Sequence, residues 1–205
     1  MTDARARILG RLKGPSGSLG SRRPTPPEPP EPPDPSGRLA RFLSELTALG
    51  VEHHVESTAD AVRARVAALV GDQPVLRWDA DCLPYGIGER LQSAADGASP
   101  RDVQAAAAFG VTGCDAAIAE TGSLALITGR GKPRAASLLP PTHVAVVCTD
   151  QLRGTMGEFF RERASDLAEA ANCTFITGPS RTADIELTLT LGVHGPGRVV
   201  VIIGP

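Results

Sequence analysis

The feature that most restricts the fold is a set of short apolar runs placed between helical segments and turns. Ala116–Ala119, Leu124–Ile127, His143–Cys148, Cys173–Thr177 and Val199–Ile203 each lie close to Gly, Pro, Asn or Asp. Continuous apolar runs of this length suit strands buried on both faces, which is the habit of parallel sheets. Val75–Trp78 reads as another buried strand and Val51–Val55 as a short one. Helical spacing separates them. Residues 38–49 place Leu39, Phe42, Leu43 and Leu46 on one face, and Gly50 ends the pattern. Thr58 is placed as an N-cap for Ala61–Val70, which stops at Gly71. Asp102–Phe109 is Ala-rich and stops at Gly110; Gln151–Ala171 reads as helical, broken or capped near Gly154–Gly157. Helices interleaved with buried strands predict a three-layer α/β fold with a largely parallel sheet. Glu120–Thr121–Gly122–Ser123 reads as a hairpin turn between two of the runs. Ile185, Leu187, Leu189 and Leu191 alternate with polar residues, and Gly195–Pro196–Gly197 turns that strand back towards Val199–Ile203. The two hairpins make the expected sheet mixed.

The chain divides into three parts. Residues 1–13 read as a short basic helix, with Ile8, Leu9 and Leu12 on one face and arginines at 5, 7 and 11. Residues 14–36 are Gly/Ser-rich and then Pro-rich, a composition that locks φ, removes donors and gives an extended linker. Residues 37–205 form one α/β domain. No internal repeat is visible.

Composition excludes several classes of function. The formal net charge is −2 over 205 residues, which gives no electrostatic footprint for nucleic acid. One Trp, one Tyr and five Phe leave little to stack bases on. No apolar run approaches the roughly 18–20 residues of a spanning helix. Arg5, Arg7 and Arg11 break any signal-peptide core. A cytoplasmic protein without nucleic-acid or membrane partners is expected. The four cysteines, Cys82, Cys114, Cys148 and Cys173, are scattered and none sits in a C-x-x-C pair. They read as small buried thiols in a reducing compartment, with neither an iron–sulfur cluster nor a structural zinc held by this chain.

The candidate chemistry lies in three loops. Glu120, in the turn with Thr121, Gly122 and Ser123, is either a carboxylate held in a pocket or an exposed turn acid. Gly178–Pro179–Ser180–Arg181–Thr182–Ala183–Asp184–Ile185–Glu186 follows a strand and offers backbone donors beside a guanidinium. Gly178, Ser180, Arg181, Thr182, Asp184 and Glu186 suit a small anion; the competing reading makes Arg181 and Asp184 a pair that braces the loop. His194, next to Gly195, is either an acid–base group or a turn histidine. Glu120 and His194 are the catalytic candidates, and the other loop residues, with Gly195, the ligand-binding ones. His53, His54 and His143 receive no site role. Gly129–Arg130–Gly131–Lys132–Pro133–Arg134 fails the phosphate-loop pattern, because Pro133 follows Lys132, and reads as a solvated basic loop or an anion rim. Gly86–Ile87–Gly88 is only half of a dinucleotide fingerprint. No serine-hydrolase elbow or metal-ligating histidine spacing is present.

Taken in order, Ala119–Ser123, Leu138–Leu139–Pro140 with His143–Val144, Gly178–Glu186 and Gly192–Pro196 resemble the lactate-utilization protein C family, or LUD domain, over roughly residues 38–205. The Pro-rich insert at 24–35 departs from that pattern. The resemblance implies a Rossmann-like sheet similar to that of sugar-phosphate isomerases and CoA-transferase-like proteins. It also implies a place in a system of three proteins that oxidises L-lactate to pyruvate, in which the partners carry the iron–sulfur clusters. Two functions follow as expectations. One is a non-redox component that binds a small hydroxy acid or partner subunits. The other is an independent enzyme with Glu120 as base or nucleophile.

Overall fold

A computed structural model describes residues 35–183 and 189–205. The expected basic helix at 1–13, nearly all of the linker at 14–36, and Asp184 and Glu186 lie outside the described residues. A 3₁₀ turn at Pro35–Gly37 leads into helix α1, Arg38–Ala48. Phe42 and Leu46, one turn apart, are its buried residues. The helix closes with paired bonds: Val51 N–H donates to Leu46 O at 2.9 Å and Gly50 N–H to Thr47 O at 3.0 Å, with Gly50 at φ +71°. Strand β1, Glu52–Val55, follows at once. Thr58 Oγ1 accepts from Ala61 N–H at 3.1 Å and starts helix α2, Ala59–Val70, as the sequence predicts.

The expected largely parallel sheet has five strands: β1, β2 (Val75–Arg77), β3 (Phe109–Thr112), β6 (Thr142–Cys148) and β11 (Arg198–Gly204). Their spatial order is β1-β11-β6-β3-β2, and every neighbouring pair is parallel. The centre is formed by β6 and β11, whose side chains from Val144 to Val147 and from Val199 to Ile203 are buried. Helices cover the faces, so the strands carry no polar alternation.

A second sheet has the order β7-β4-β5-β8, with β5 antiparallel to both β4 and β8 and β7 parallel to β4. Its strands are β4 (Ala116–Ile118), β5 (Ser123–Ile127), β7 (Leu152–Arg153) and β8 (Cys173–Ile176). The expected hairpin is present, with Ala116 opposite Ala125 and Ile118 opposite Ser123. Period-two geometry splits this sheet between two cores. Ala117, Ala119, Leu124 and Leu126 join the main core with Phe42 and Leu46. Ala116, Ile118, Ala125 and Ile127 face Phe159 instead. Phe159 lies on the helix Met156–Glu162, and its ring meets Phe175 edge-on at 5.5 Å.

Three expectations shift. The helix expected at 102–109 is only Arg101–Ala105, and Phe109 and Gly110 belong to β3. Gly110 is there for close approach: a Cβ on it would lie 1.7 Å from the Ala136 carbonyl oxygen, in the short helix Ala135–Leu138. The helix expected from Gln151 begins only at Met156, because Leu152–Arg153 pairs with β4 first. It is also divided, into Met156–Glu162 (α6) and Ala164–Glu169. The alternating strand expected from Ile185 is seen as β10, Leu189–Leu191, antiparallel to β9, Arg181–Ala183; the residues between lie outside the described ones.

Candidate functional site

Two of the three motif loops rest on the end of α1, and the third is bonded to one of them. Gly122 sits at φ +63° in the β4–β5 turn, and a Cβ there would lie 2.9 Å from Glu45 Cβ and 3.1 Å from Leu49 Cδ1. Only glycine allows the turn to rest so closely on the helix. Gly178 faces Leu49 and Val51, with room for a Cβ at 3.6 Å from each. Arg181 Nη2 donates to the Leu49 carbonyl at 2.6 Å. Ser180 N–H donates to Pro196 O at 2.9 Å, and Gly192 N–H to Ser180 O at 2.9 Å. Gly195 lies against the Ser180 side chain. A hydroxyl chain ties the first two loops: Thr121 Oγ1 donates to Ser123 Oγ at 2.8 Å, and Ser123 and Thr177 share a bond of 2.7 Å. Ser123 is buried.

This meeting point is at the amino ends of β1 and β11, since Val51 directly precedes β1 and Gly197 directly precedes β11. Ligands of open parallel sheets gather beyond the carboxyl ends. The loop at 178–180 does follow the carboxyl end of a strand, β8, but that strand belongs to the second sheet.

Glu120 is half-buried. Its Oε1 accepts from Met156 N–H at 2.6 Å, at the first turn of α6. Thr155 Oγ1 accepts from Glu158 N–H, and Glu158 Oε2 accepts from Gly154 N–H. Glu120 thus completes the capping of that helix, where a negative group is favoured. His194 is exposed, and among the described residues no hydrogen bond joins it to Glu120. Thr182 stands opposite Thr190 in the β9–β10 pair. The pairing of Arg181 with Asp184 lies outside the described residues.

Asp115 escaped the sequence reading, and Lys132 was read only as part of a basic loop. Asp115 is 7 % exposed. Its Oδ2 accepts from Ile127 N–H at 2.8 Å and its Oδ1 meets Lys132 Nζ at 2.6 Å. Lys132 Nζ also lies 5.1 Å from the centre of the Trp78 ring. The signal was an Asp inside an apolar run followed by a lone Lys in a Gly-rich loop. His143 is fully buried on β6, and burial pushes its pKa down to about 4. Its Nε2 meets Thr112 Oγ1 at 2.9 Å. Burial also raises the pKa of all four thiols, which are free and remain protonated at neutral pH. Among the described residues no helix is long and apolar enough to cross a membrane, and no group of three or more metal-ligating side chains is gathered.

The model of the LUD domain matches residues 39–203. Lactate utilization protein C from Halalkalibacterium halodurans is 38 % identical over 130 residues, which span 62 % of this chain and 50 % of that protein. The protein of the same name from a Geobacillus species is 31 % identical over 170 residues, spanning 73 % and 70 %. A crystal structure of a DUF162 family protein from Deinococcus radiodurans superposes with a TM-score of 0.67 at 24 % identity, covering 84 % of this chain and 99 % of that one. At that identity the likeness bears on the fold alone.

Proposed function

The chain belongs to the LUD domain family, and on that premise we propose that it serves lactate utilization as a binding component without a redox centre of its own. In this reading it works in the cytoplasm beside iron–sulfur proteins that carry the electrons from L-lactate as pyruvate forms. It holds a small hydroxy-acid carboxylate, or the surface of a partner, at the joined loops. The relatives' name supports the process. The observation that carries the binding role is the packing of the 120–123 and 178–181 loops against Leu49–Val51, with the 192–197 loop bonded to Ser180 and the exposed Arg181 at their edge. One guanidinium donor goes to Leu49 O, and the fork of a guanidinium is the geometry that matches a carboxylate. The alternative, an independent enzyme with Glu120 as base or nucleophile, has less support. Glu120 Oε1 is engaged by Met156 N–H and no described contact pairs it with His194.

Thermal unfolding with added L-lactate or pyruvate tests the proposal. Ligand at about 100 times its Kd raises the unfolding free energy by about 2.7 kcal/mol. Arg181→Ala weakens that binding roughly ten- to a hundred-fold while the unliganded protein melts almost as before. If neither acid nor an iron–sulfur partner stabilises the protein at any concentration, the binding role is wrong.

A further inference from the structure

Of the chain's 21 lysines and arginines only two are lysines, Lys13 and Lys132. Wherever a fixed positive charge suffices, this chain uses arginine, whose guanidinium stays charged and is no nucleophile. Lys132 is the one primary side-chain amine among the described residues. It lies in the loop after β5 and helps to wall an open hollow of about 430 Å³. Asp115, just before β4, and Arg163, just after α6, stand on the same wall, together with Asp166 and Glu169. The volume suits a small metabolite.

The charged ends of these residues meet. Lys132 Nζ is 2.6 Å from Asp115 Oδ1, and Arg163 Nη2 is 3.5 Å from the same oxygen. All three residues wall the one hollow, and the Lys132 side chain is 26 % exposed, so a molecule there reaches the amine. Asp115 is held in place, because its Oδ2 accepts from Ile127 N–H at 2.8 Å. A carboxylate within hydrogen-bond reach of an ammonium can take its proton and return it later. An amine so served condenses with carbonyl compounds. An ion pair with no further task would be met as well by arginine, which binds a carboxylate with two parallel donors.

We propose that Lys132 forms a Schiff base with a small uncharged aldehyde or ketone held in this hollow. Asp115 Oδ1 takes one ammonium proton, and the freed nitrogen lone pair attacks the carbonyl carbon. A second proton passes from nitrogen to the former carbonyl oxygen. Asp115 returns the first proton to that oxygen, the nitrogen lone pair expels it as water, and the third proton stays on the imine. Ammonium and carbonyl compound thus give a protonated imine and one water, with no oxidant or reductant. Asp166 and Glu169 repel an anion, which is why the ligand is uncharged. The site shares no residue with the loops around Leu49–Val51 and does not rest on the role proposed for them. It gives the basic loop at 129–134 a task that its failed phosphate-loop pattern left open.

The full-length protein is incubated with dihydroxyacetone and sodium cyanoborohydride, which reduces an imine to a stable secondary amine. Free Nα-acetyllysine in the same tube is the reference amine. Mass spectrometry counts the adducts, and fragment ions locate them. Lys132 is expected to be trapped at least ten-fold faster than the reference, at a rate that saturates with ketone concentration. Protein unfolded in urea loses that advantage. Lys132→Arg keeps a cation beside Asp115 and the melting temperature, and removes this adduct. Pyruvate, similar in size but charged, is trapped at Lys132 at least five-fold more slowly than dihydroxyacetone, each relative to the reference. If Lys132 reacts no faster than the reference, or its rate rises in proportion to ketone concentration throughout, it is an ordinary surface amine and the proposal is wrong. Pyruvate trapped as fast as dihydroxyacetone overturns the assignment of an uncharged ligand.

Discussion

His143 shows how a single side chain can set the acid limit of the fold. It is enclosed in the middle of the parallel sheet, with Nδ1 unpartnered, and burial holds its pKa near 4. An unfolded histidine titrates near 6.5. Between those values the unfolded chain binds the extra proton and the folded chain does not, so stability falls as the pH falls. The contribution is complete above about pH 6.5 and lost by about pH 4, on the order of 3 kcal/mol. In His143→Gln the amide can still meet Thr112, and the urea midpoint should lose this part of its slope between pH 6.5 and 4. An identical slope in both proteins would place the titration elsewhere. The sequence showed His143 only as one member of an apolar run. Its enclosure comes from β3 and β11 on either side, which no local pattern reveals. Asp115 was hidden for the same reason, since its partners Lys132 and Arg163 arrive from other elements.

Elements with their own chemical punctuation were legible. Thr58 caps α2, Gly50 closes α1, and the Glu120–Ser123 turn joins β4 to β5, as their residues suggest. Elements fixed by tertiary approach were not. Gly110 looked like a helix stop and is instead the point where β3 lies against a helix backbone. Leu152–Arg153 looked helical, yet the open edge of β4 takes it as a strand. Gly110→Ala tests that explanation. A real helix terminus would tolerate alanine at a cost of about 1 kcal/mol or less. A methyl group driven into the Ala136 carbonyl has nowhere to go, and a loss of about 3 kcal/mol or more in chemical denaturation is expected. The candidate site shows the same division. Its glycines and hydroxyls were readable, whereas the point where they meet, Leu49–Val51, carries no motif of its own.

Across the described domain, one face of the hairpin sheet shares the core of the parallel sheet. Phe42 and Leu46 touch a cluster that includes Val146 and Val201 from the parallel sheet and Leu124 and Leu126 from the hairpin. The sheets should therefore unfold together. Trp78 fluorescence reports the parallel sheet and far-ultraviolet circular dichroism the whole chain, and their denaturation curves should coincide. Leu124→Ala, though it lies in the hairpin, should move both curves equally, by roughly 2–5 kcal/mol. Two separate transitions would mean that the hairpin sheet is an independent unit.

The order of the parallel strands also bears on how the chain is made. β1 has one neighbour in its sheet, β11, with Glu52 opposite Val200. Almost the entire domain is translated between those two partners. A nascent chain therefore leaves the ribosome with β1 unable to pair and with β6 open on the side that β11 will fill. Until β11 emerges, two strand edges are available to wrong partners, including neighbouring nascent chains. The strand that closes the gap must also bring the last loop onto Ser180, so the proposed binding surface cannot be complete on a ribosome-bound chain that has not yet exposed β11.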